Sequence, residues 1–197
     1  MNEVELKSVV DDPALRRSLL ERAGASLVFA GQLTDFRYDQ RNGDLSGRDH
    51  VLRLRVYDSE NGREGHIDWK GETRYEDGYK VREEISTGAS DPDAMAVILR
   101  KLGFVVVQVI ERQIAQYELE GAIVRFEQYP KMDVLVEVEG SPDAIERAIA
   151  VIGLPRGGFT TGRLADFVAG YEARSGEQSA LAKADLARDS APRASSA

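Results

Sequence analysis

The 197-residue chain contains no cysteine, two histidines and one tryptophan. Without cysteine there is no disulfide framework and no thiolate-ligated zinc or iron–sulfur centre. His50 and His66 stand apart from any serine constellation that would make a nucleophile, so they read as surface or strand-edge residues. Positive charge is also short, with 26 lysines and arginines against 34 aspartates and glutamates and a net charge of −8. Broad binding to duplex nucleic acid needs a basic face, and this balance excludes it. No apolar run approaches the ~20 residues of a membrane-spanning helix. The opening Met1-Asn2-Glu3-Val4-Glu5 is acidic and alternating, unlike a secretory leader. The expectation is a soluble cytoplasmic protein that engages neither nucleic acid nor membrane.

What is present is a hydrophobic fraction of 42%, enough to build a core, together with 30% charged residues. The length suits one compact domain. Asp12-Pro13, Asp91-Pro92 and Ser141-Pro142 each place a capping side chain before a proline in a first helical turn. The runs that follow end at Gly24, Gly103 and Gly153, which predicts helices over 12–23, 91–102 and 142–152. A fourth helix is expected from Arg163 to Glu172. Gly157 to Arg163 lacks the Lys-Ser/Thr of a phosphate loop and reads as a turn before that helix. Residues 1–173 form the expected domain. The Ala/Ser-rich stretch 174–197 is expected to be a flexible tail, with helix available over 179–188.

Between the helices the period changes to two. Candidate strands are Glu3–Lys7, Leu27–Ala30, Phe36–Asp39, Val51–Tyr57, Ile67–Lys70, Lys80–Ser86, Val105–Glu118, Ile123–Tyr129 and Asp133–Glu139. Asn42-Gly43 and Asn61-Gly62 are strong tight-turn signals and point to hairpins. Many strands, tight turns and a few helices indicate an antiparallel α+β domain.

The charged positions in these strands are sorted by sign. A strand sends i and i+2 to one face. Glu3, Glu5 and Lys7 therefore share a face, as do Arg53 with Arg55, Lys80 with Arg82 and Glu84, Arg125 with Glu127, and Glu137 with Glu139. An ordinary solvent face carries a loose polar mixture. Paired glutamates repel unless a cation sits between them, and paired arginines call for an anion. A closed sheet with its aliphatic face against helices would turn these charges inward, giving carboxylates for a hard divalent metal and guanidinium groups for phosphate oxygens.

Glu3-x-Glu5-x-Lys7 resembles the N-terminal ExExK strand of the CYTH superfamily, the triphosphate tunnel metalloenzymes. Leu52-Arg53-Leu54-Arg55 is similar to that family's LRxR element, Trp69-Lys70-Gly71 to its K-G strand end, Arg82-Glu83-Glu84 to its R-x-E, and Glu137-Val138-Glu139 to its late E-x-E. The stretch Ile152 to Thr161 is most similar to the class IV adenylyl cyclase branch, near the thiamine triphosphatases. The resemblance runs to about residue 173.

It implies an eight-stranded antiparallel closed tunnel with flanking helices. It also implies Mg²⁺ or Mn²⁺ held by Glu3, Glu5, Glu137 and Glu139, with Glu127 where many members have aspartate. Glu84 joins the acidic set on the same face. Lys7, Arg53, Arg55, Lys70, Arg82 and Arg112 would act on a triphosphate as binding and catalytic cations, with Lys80 and Arg125 beside them. Ile110 and Gly162 stand where relatives often carry lysine. The implied activity is metal-dependent hydrolysis of a nucleoside triphosphate or tripolyphosphate. The alternatives are conversion of ATP to cyclic AMP and pyrophosphate, as in class IV adenylyl cyclases, and a non-catalytic module that binds polyphosphate or nucleotide. A homodimer is compatible with the family, though no stretch of sequence marks an interface.

Overall fold

A computed structural model describes residues 2–189 of the chain. Its strands are β1 (Asn2–Val9), β2 (Ser26–Asp39), β3 (Val51–Ser59), β4 (Gly62–Lys70), β5 (Arg74–Glu76), β6 (Tyr79–Ala89), β7 (Val105–Leu119), β8 (Ala122–Gln128) and β9 (Leu135–Glu139). The helices among the described residues are α1 (Pro13–Arg22), α2 (Asp44–Gly47), α3 (Pro92–Lys101), α4 (Pro142–Ile152), α5 (Leu164–Ser175) and α6 (Lys183–Asp189).

The sheet runs β1-β9-β8-β7-β2-β3-β4-β6 and returns to β1, all antiparallel. This is the expected eight-stranded closed tunnel, and closure pairs both edges of each of the eight ring strands. β5 is extra. It pairs with residues 79–81 of β6, on from the stretch 84–89 that pairs with β4.

Alternation decides which side of the wall is apolar. Leu6, Val124, Phe126, Val136 and Val138 point outward and pack with Ile145, Ala148, Ile149 and Ile152 of α4 and Leu20 of α1. Tyr38, Leu54 and Val56 pack outward in a second cluster with Leu99 of α3. Fully burying one such side chain stabilises by about 1.5–3 kcal/mol, so the apolar core lies between sheet and helices. The tunnel interior is left to the charges.

The helix punctuation acts as read. Asp12 accepts from the Leu15 amide at 3.0 Å, Asp91 from Ala94 at 2.9 Å and Ser141 from Ala144 at 3.4 Å. Asn61-Gly62 closes the tight β3–β4 hairpin.

Three expectations differ. Leu27–Ala30 and Phe36–Asp39 are parts of one long strand, β2, whose poor strand formers at 31–35 are carried by β3 and β7 on either side. Asn42-Gly43 does not close a hairpin; it leads into α2, which is held by the Asp39 carboxylate. The boundary placed at residue 174 falls within α5. Beyond it, Ala180 bridges Lys131, Leu181 accepts from the Glu111 amide at 2.7 Å, and Ala180 and Ala182 are buried. Small side chains let this strip lie close against β7. The last part of the expected tail, 190–197, lies outside the described residues. None of the described helices is long and apolar enough to cross a membrane.

Candidate active site

The inward positions of eight strands converge on one cavity of about 500 Å³. Ten lysine and arginine side chains line it against eight carboxylates, among the described residues. The chain as a whole is acidic, but this interior is not.

One wall is built by β1, β9 and β8. Lys7 Nζ sits between Glu5 Oε2 at 2.8 Å and Glu137 Oε2 at 2.5 Å. Glu137 also accepts from Arg125 Nη1 at 2.6 Å, and Arg125 Nε donates to Gln116 at 2.9 Å. Lys80 of β6 donates to the other oxygen of Glu5. Burial alone would lower the pKa of Lys7, yet the carboxylates of Glu137 and Glu5 outweigh it and hold the ammonium well above its ordinary value. Burial would likewise raise Glu137, but Lys7 and Arg125 keep it well below the usual carboxylate range. Lys80 is pulled down by burial, with the Lys7 charge adding to the effect and Glu5 opposing it.

The facing wall centres on Asp35 of β2. Its carboxylate takes Arg55 Nε at 2.8 Å and Nη2 at 3.1 Å, Arg112 Nη2 at 3.0 Å and Arg53 Nη1 at 3.5 Å. Burial would raise the Asp35 pKa, but the three guanidinium groups drive it far down. Asp68 of β4 takes Arg53 through Nε at 2.9 Å and Nη2 at 2.7 Å, and Ser86 donates to its other oxygen at 2.6 Å. Arg112 Nε lies 2.9 Å from Glu127 Oε1 without hydrogen-bond alignment, while Tyr129 donates to Glu127 at 2.7 Å.

Of the residues the sequence singled out, Glu5, Lys7, Arg53, Arg55, Lys70, Lys80, Arg82, Glu84, Arg112, Arg125, Glu127, Glu137 and Glu139 all line the cavity. The side chain of Glu3 lies outside the described residues; its backbone pairs with Arg82. Lys70 meets Glu84 at 3.1 Å. Arg82 donates to two backbone carbonyls, Gly71 from Nε at 2.8 Å and Asp49 from Nη2 at 2.5 Å, which braces the turn after β4. Glu127 is committed to Arg112 and Tyr129 in the tunnel wall. Ile110 is buried opposite Asp35 in the β2–β7 register and makes an apolar spot in the lining. His66, expected at the surface or a strand edge, lines the cavity with its ring edge-on to Tyr57.

Sequence reasoning missed Asp35, Arg37, Asp68 and Ser86. The signal was present: Asp35 and Arg37 alternate with Phe36 and Tyr38, Asp68 stands two residues before Lys70, and Ser86 two after Glu84.

The oxygen donors on the first wall have the chemistry that Mg²⁺ or Mn²⁺ prefers. Glu5 and Glu137 already converge on one cation, the Lys7 ammonium. Glu139 follows Glu137 on the same face and lines the cavity. Among the described residues no three acidic or histidine side chains gather closely enough to hold a metal as they stand. The donor set thus has the oxygen chemistry of a divalent-ion site, and in this structure its convergent carboxylates Glu5 and Glu137 hold the Lys7 ammonium.

A closed antiparallel tunnel with an apolar outside and a charged inside is the tunnel fold. The CYTH domain family matches residues 1–150, and the chain belongs to it. Proteins of this family are typically triphosphatases or cyclase-like, and generally depend on a divalent metal.

Solved structures share the fold. The PH1819 protein of Pyrococcus horikoshii OT3 is 21% identical with a TM-score of 0.69, covering 85% of this chain and 98% of its own. A proposed adenylate cyclase of Vibrio parahaemolyticus is 17% identical with a TM-score of 0.71, covering 85% and 97%. HpAC1 of Hippeastrum, a proposed adenylyl cyclase with a dominant triphosphatase activity, is 18% identical with a TM-score of 0.59, covering 89% and 96%. At these identities the likeness is one of fold. A search of curated proteins returned no match.

Proposed function

We propose that this chain is a divalent-metal-dependent triphosphatase that binds a linear triphosphate, inorganic or on a nucleoside, inside its tunnel. The observation that supports this best is the surplus of lysines and arginines around a cavity that also carries a convergent pair of carboxylates. A polyanion with its metal matches both features. An uncharged substrate would leave the surplus cations uncompensated in a confined space.

In this reading Glu5 and Glu137, with Glu139 and Glu3 on the same strands, hold Mg²⁺ or Mn²⁺. The metal, when bound, neutralises phosphate charge and polarises a phosphoryl oxygen. Glu84 and Glu127 hold Lys70 and Arg112 in place. Lys7 and Lys80, which stand beside these carboxylates, would supply cations for the phosphate oxygens. Arg53, Arg55, Arg112 and Arg125 present their remaining N–H groups along the chain of phosphates, where guanidinium geometry suits paired oxygens. Hydrolysis forms a bond from a water oxygen to the terminal phosphorus as the bridging P–O bond breaks, and inorganic tripolyphosphate yields phosphate and diphosphate. Charge that builds on the leaving oxygens meets cations already in place.

The dominant triphosphatase activity of HpAC1, a proposed cyclase of the same fold, favours hydrolysis over cyclisation. Cyclisation of ATP to cyclic AMP and pyrophosphate is the alternative, on the likeness to the Vibrio parahaemolyticus structure. Incubation with tripolyphosphate or ATP and Mg²⁺ or Mn²⁺, followed by product identification, separates the two. Tight triphosphate binding with no turnover would instead mark a binding module. Cytoplasmic location and a homodimeric state remain part of the proposal; gel filtration with light scattering tests the latter.

A further inference from the structure

Among the described residues, every arginine lining the tunnel but one has a carboxylate or backbone carbonyl partner. Arg53, Arg55, Arg112, Arg125 and Arg163 meet carboxylates, and Arg82 meets backbone carbonyls. Arg37 of β2 is the exception. Its guanidinium lines the cavity, and among the described residues it forms no ion pair. One neutral contact holds it, from Nη1 to Gln108 Oε1 at 3.1 Å, and its buried Nε has no hydrogen-bond partner.

A buried donor without a partner keeps its full desolvation cost, and a charged group more so. The surroundings add to this strain. Arg37 pairs across strands with Arg53, a like charge, and Asp35 spends its oxygens on three other guanidiniums. Burial, with Arg53 next in size and Asp35 opposing, lowers the pKa of Arg37 to about 10. An arginine held this way is poorly explained by the fold alone.

Its position gives the missing partner a place. In the closed ring β2 is four strands from β1 in either direction, so Arg37 stands on the wall opposite Glu5 and Lys7. Next to it the lining is apolar at Ile110, which supplies no competing cation or acceptor.

We infer that Arg37 is a substrate-binding residue that takes a phosphate oxygen of a linear polyphosphate, on the tunnel wall facing the proposed metal carboxylates. This rests on the reading of the tunnel as a triphosphate site and assigns one more contact within it. The anion, arriving between the walls, supplies both the counter-charge and the acceptor that Arg37 lacks.

The test uses the full-length protein, inorganic tripolyphosphate and no divalent metal, so that binding is read without turnover. Calorimetry should show Arg37→Met binding tripolyphosphate about 10- to 100-fold more weakly than the unaltered chain, the range for a hydrogen bond to a charged group. Arg37→Lys should recover part of the loss. The anion-free melting temperature of Arg37→Met should hold or rise, because an uncompensated cation has gone. The upward shift that tripolyphosphate produces should shrink. Equal affinity in the two proteins would overturn the assignment of Arg37 while leaving the tunnel reading intact. Failure of the unaltered chain to bind would overturn both. A melting temperature several degrees lower in Arg37→Met would show a structural role and overturn the inference. Should that variant not fold, Arg37→Gln carries the same comparison.

Discussion

Asp35 binds Arg55 through two side-by-side contacts, Oδ1 to Nε at 2.8 Å and Oδ2 to Nη2 at 3.1 Å. The pair is buried inside a wall that also holds Arg53 and Arg112 on the same carboxylate. Removing one partner from a buried pair leaves an unpaired charge and costs about 3–5 kcal/mol. Asp35→Asn leaves Arg55 without its carboxylate while Arg53 keeps Asp68 and Arg112 keeps Glu127, so its loss in urea unfolding should fall in that range. The exposed pair Arg63–Asp93, at 2.7 Å, is the control. Arg63→Ala there should cost about 1 kcal/mol or less. Similar costs for the two variants would contradict the description of Asp35 as the hub of the wall.

Asp39 gives a prediction in pH. Its carboxylate accepts from the amides of Gln40 at 2.7 Å, Leu45 at 2.9 Å and Ser46 at 3.0 Å. Burial would raise its pKa, but the Ser46 contacts and the Leu45 and Gln40 amides bring it from 3.8 to about 2. A carboxyl lowered on folding stabilises the fold above its unfolded pKa, and that contribution is lost as pH falls through the folded value. Between 3.8 and about 2, the unaltered chain should therefore lose a contribution that Asp39→Asn has already lost. Unfolding curves for both proteins across that window should converge toward acid. Parallel curves would contradict the cap.

The acidic wall is tested by comparing two glutamates. Glu137 is buried against Lys7 and Arg125, whereas Glu72 is exposed after β4. Glu137→Gln keeps the shape and removes the charge proposed to hold the metal. Turnover of tripolyphosphate should fall on the order of 100-fold or more. Glu72→Gln should change it little. Steady-state rates over a series of Mn²⁺ concentrations make the comparison, and equal rates would refute the metal assignment.

The fold was legible because a period of two sorts side chains without reference to neighbouring strands. Val134, Val136 and Val138 against Glu137 and Glu139 show which face is apolar, and ring closure then turns the charges inward. What the sequence hid was the partnership of those charges. Arg53 reads as an anion-binding residue, but the β3–β4 and β2–β3 registers bring it to Asp68 and Asp35. Register depends on hairpin lengths and on the bulges in β2, neither of which a strand announces. Asp35 and Arg37 are obscured in the sequence because Gly31, Gln32 and Thr34 interrupt the aliphatic pattern. The alternation of Phe36 and Tyr38, both on the apolar face, puts Asp35 and Arg37 on the opposite face, toward the tunnel.

The most direct test of the account is the product formed from ATP and from tripolyphosphate with Mn²⁺ or Mg²⁺, resolved by phosphorus NMR. Orthophosphate should form from both, in amounts that rise with added metal and vanish with a chelator. Cyclic AMP with pyrophosphate as the product from ATP, or no turnover of either compound at any metal concentration, would contradict it.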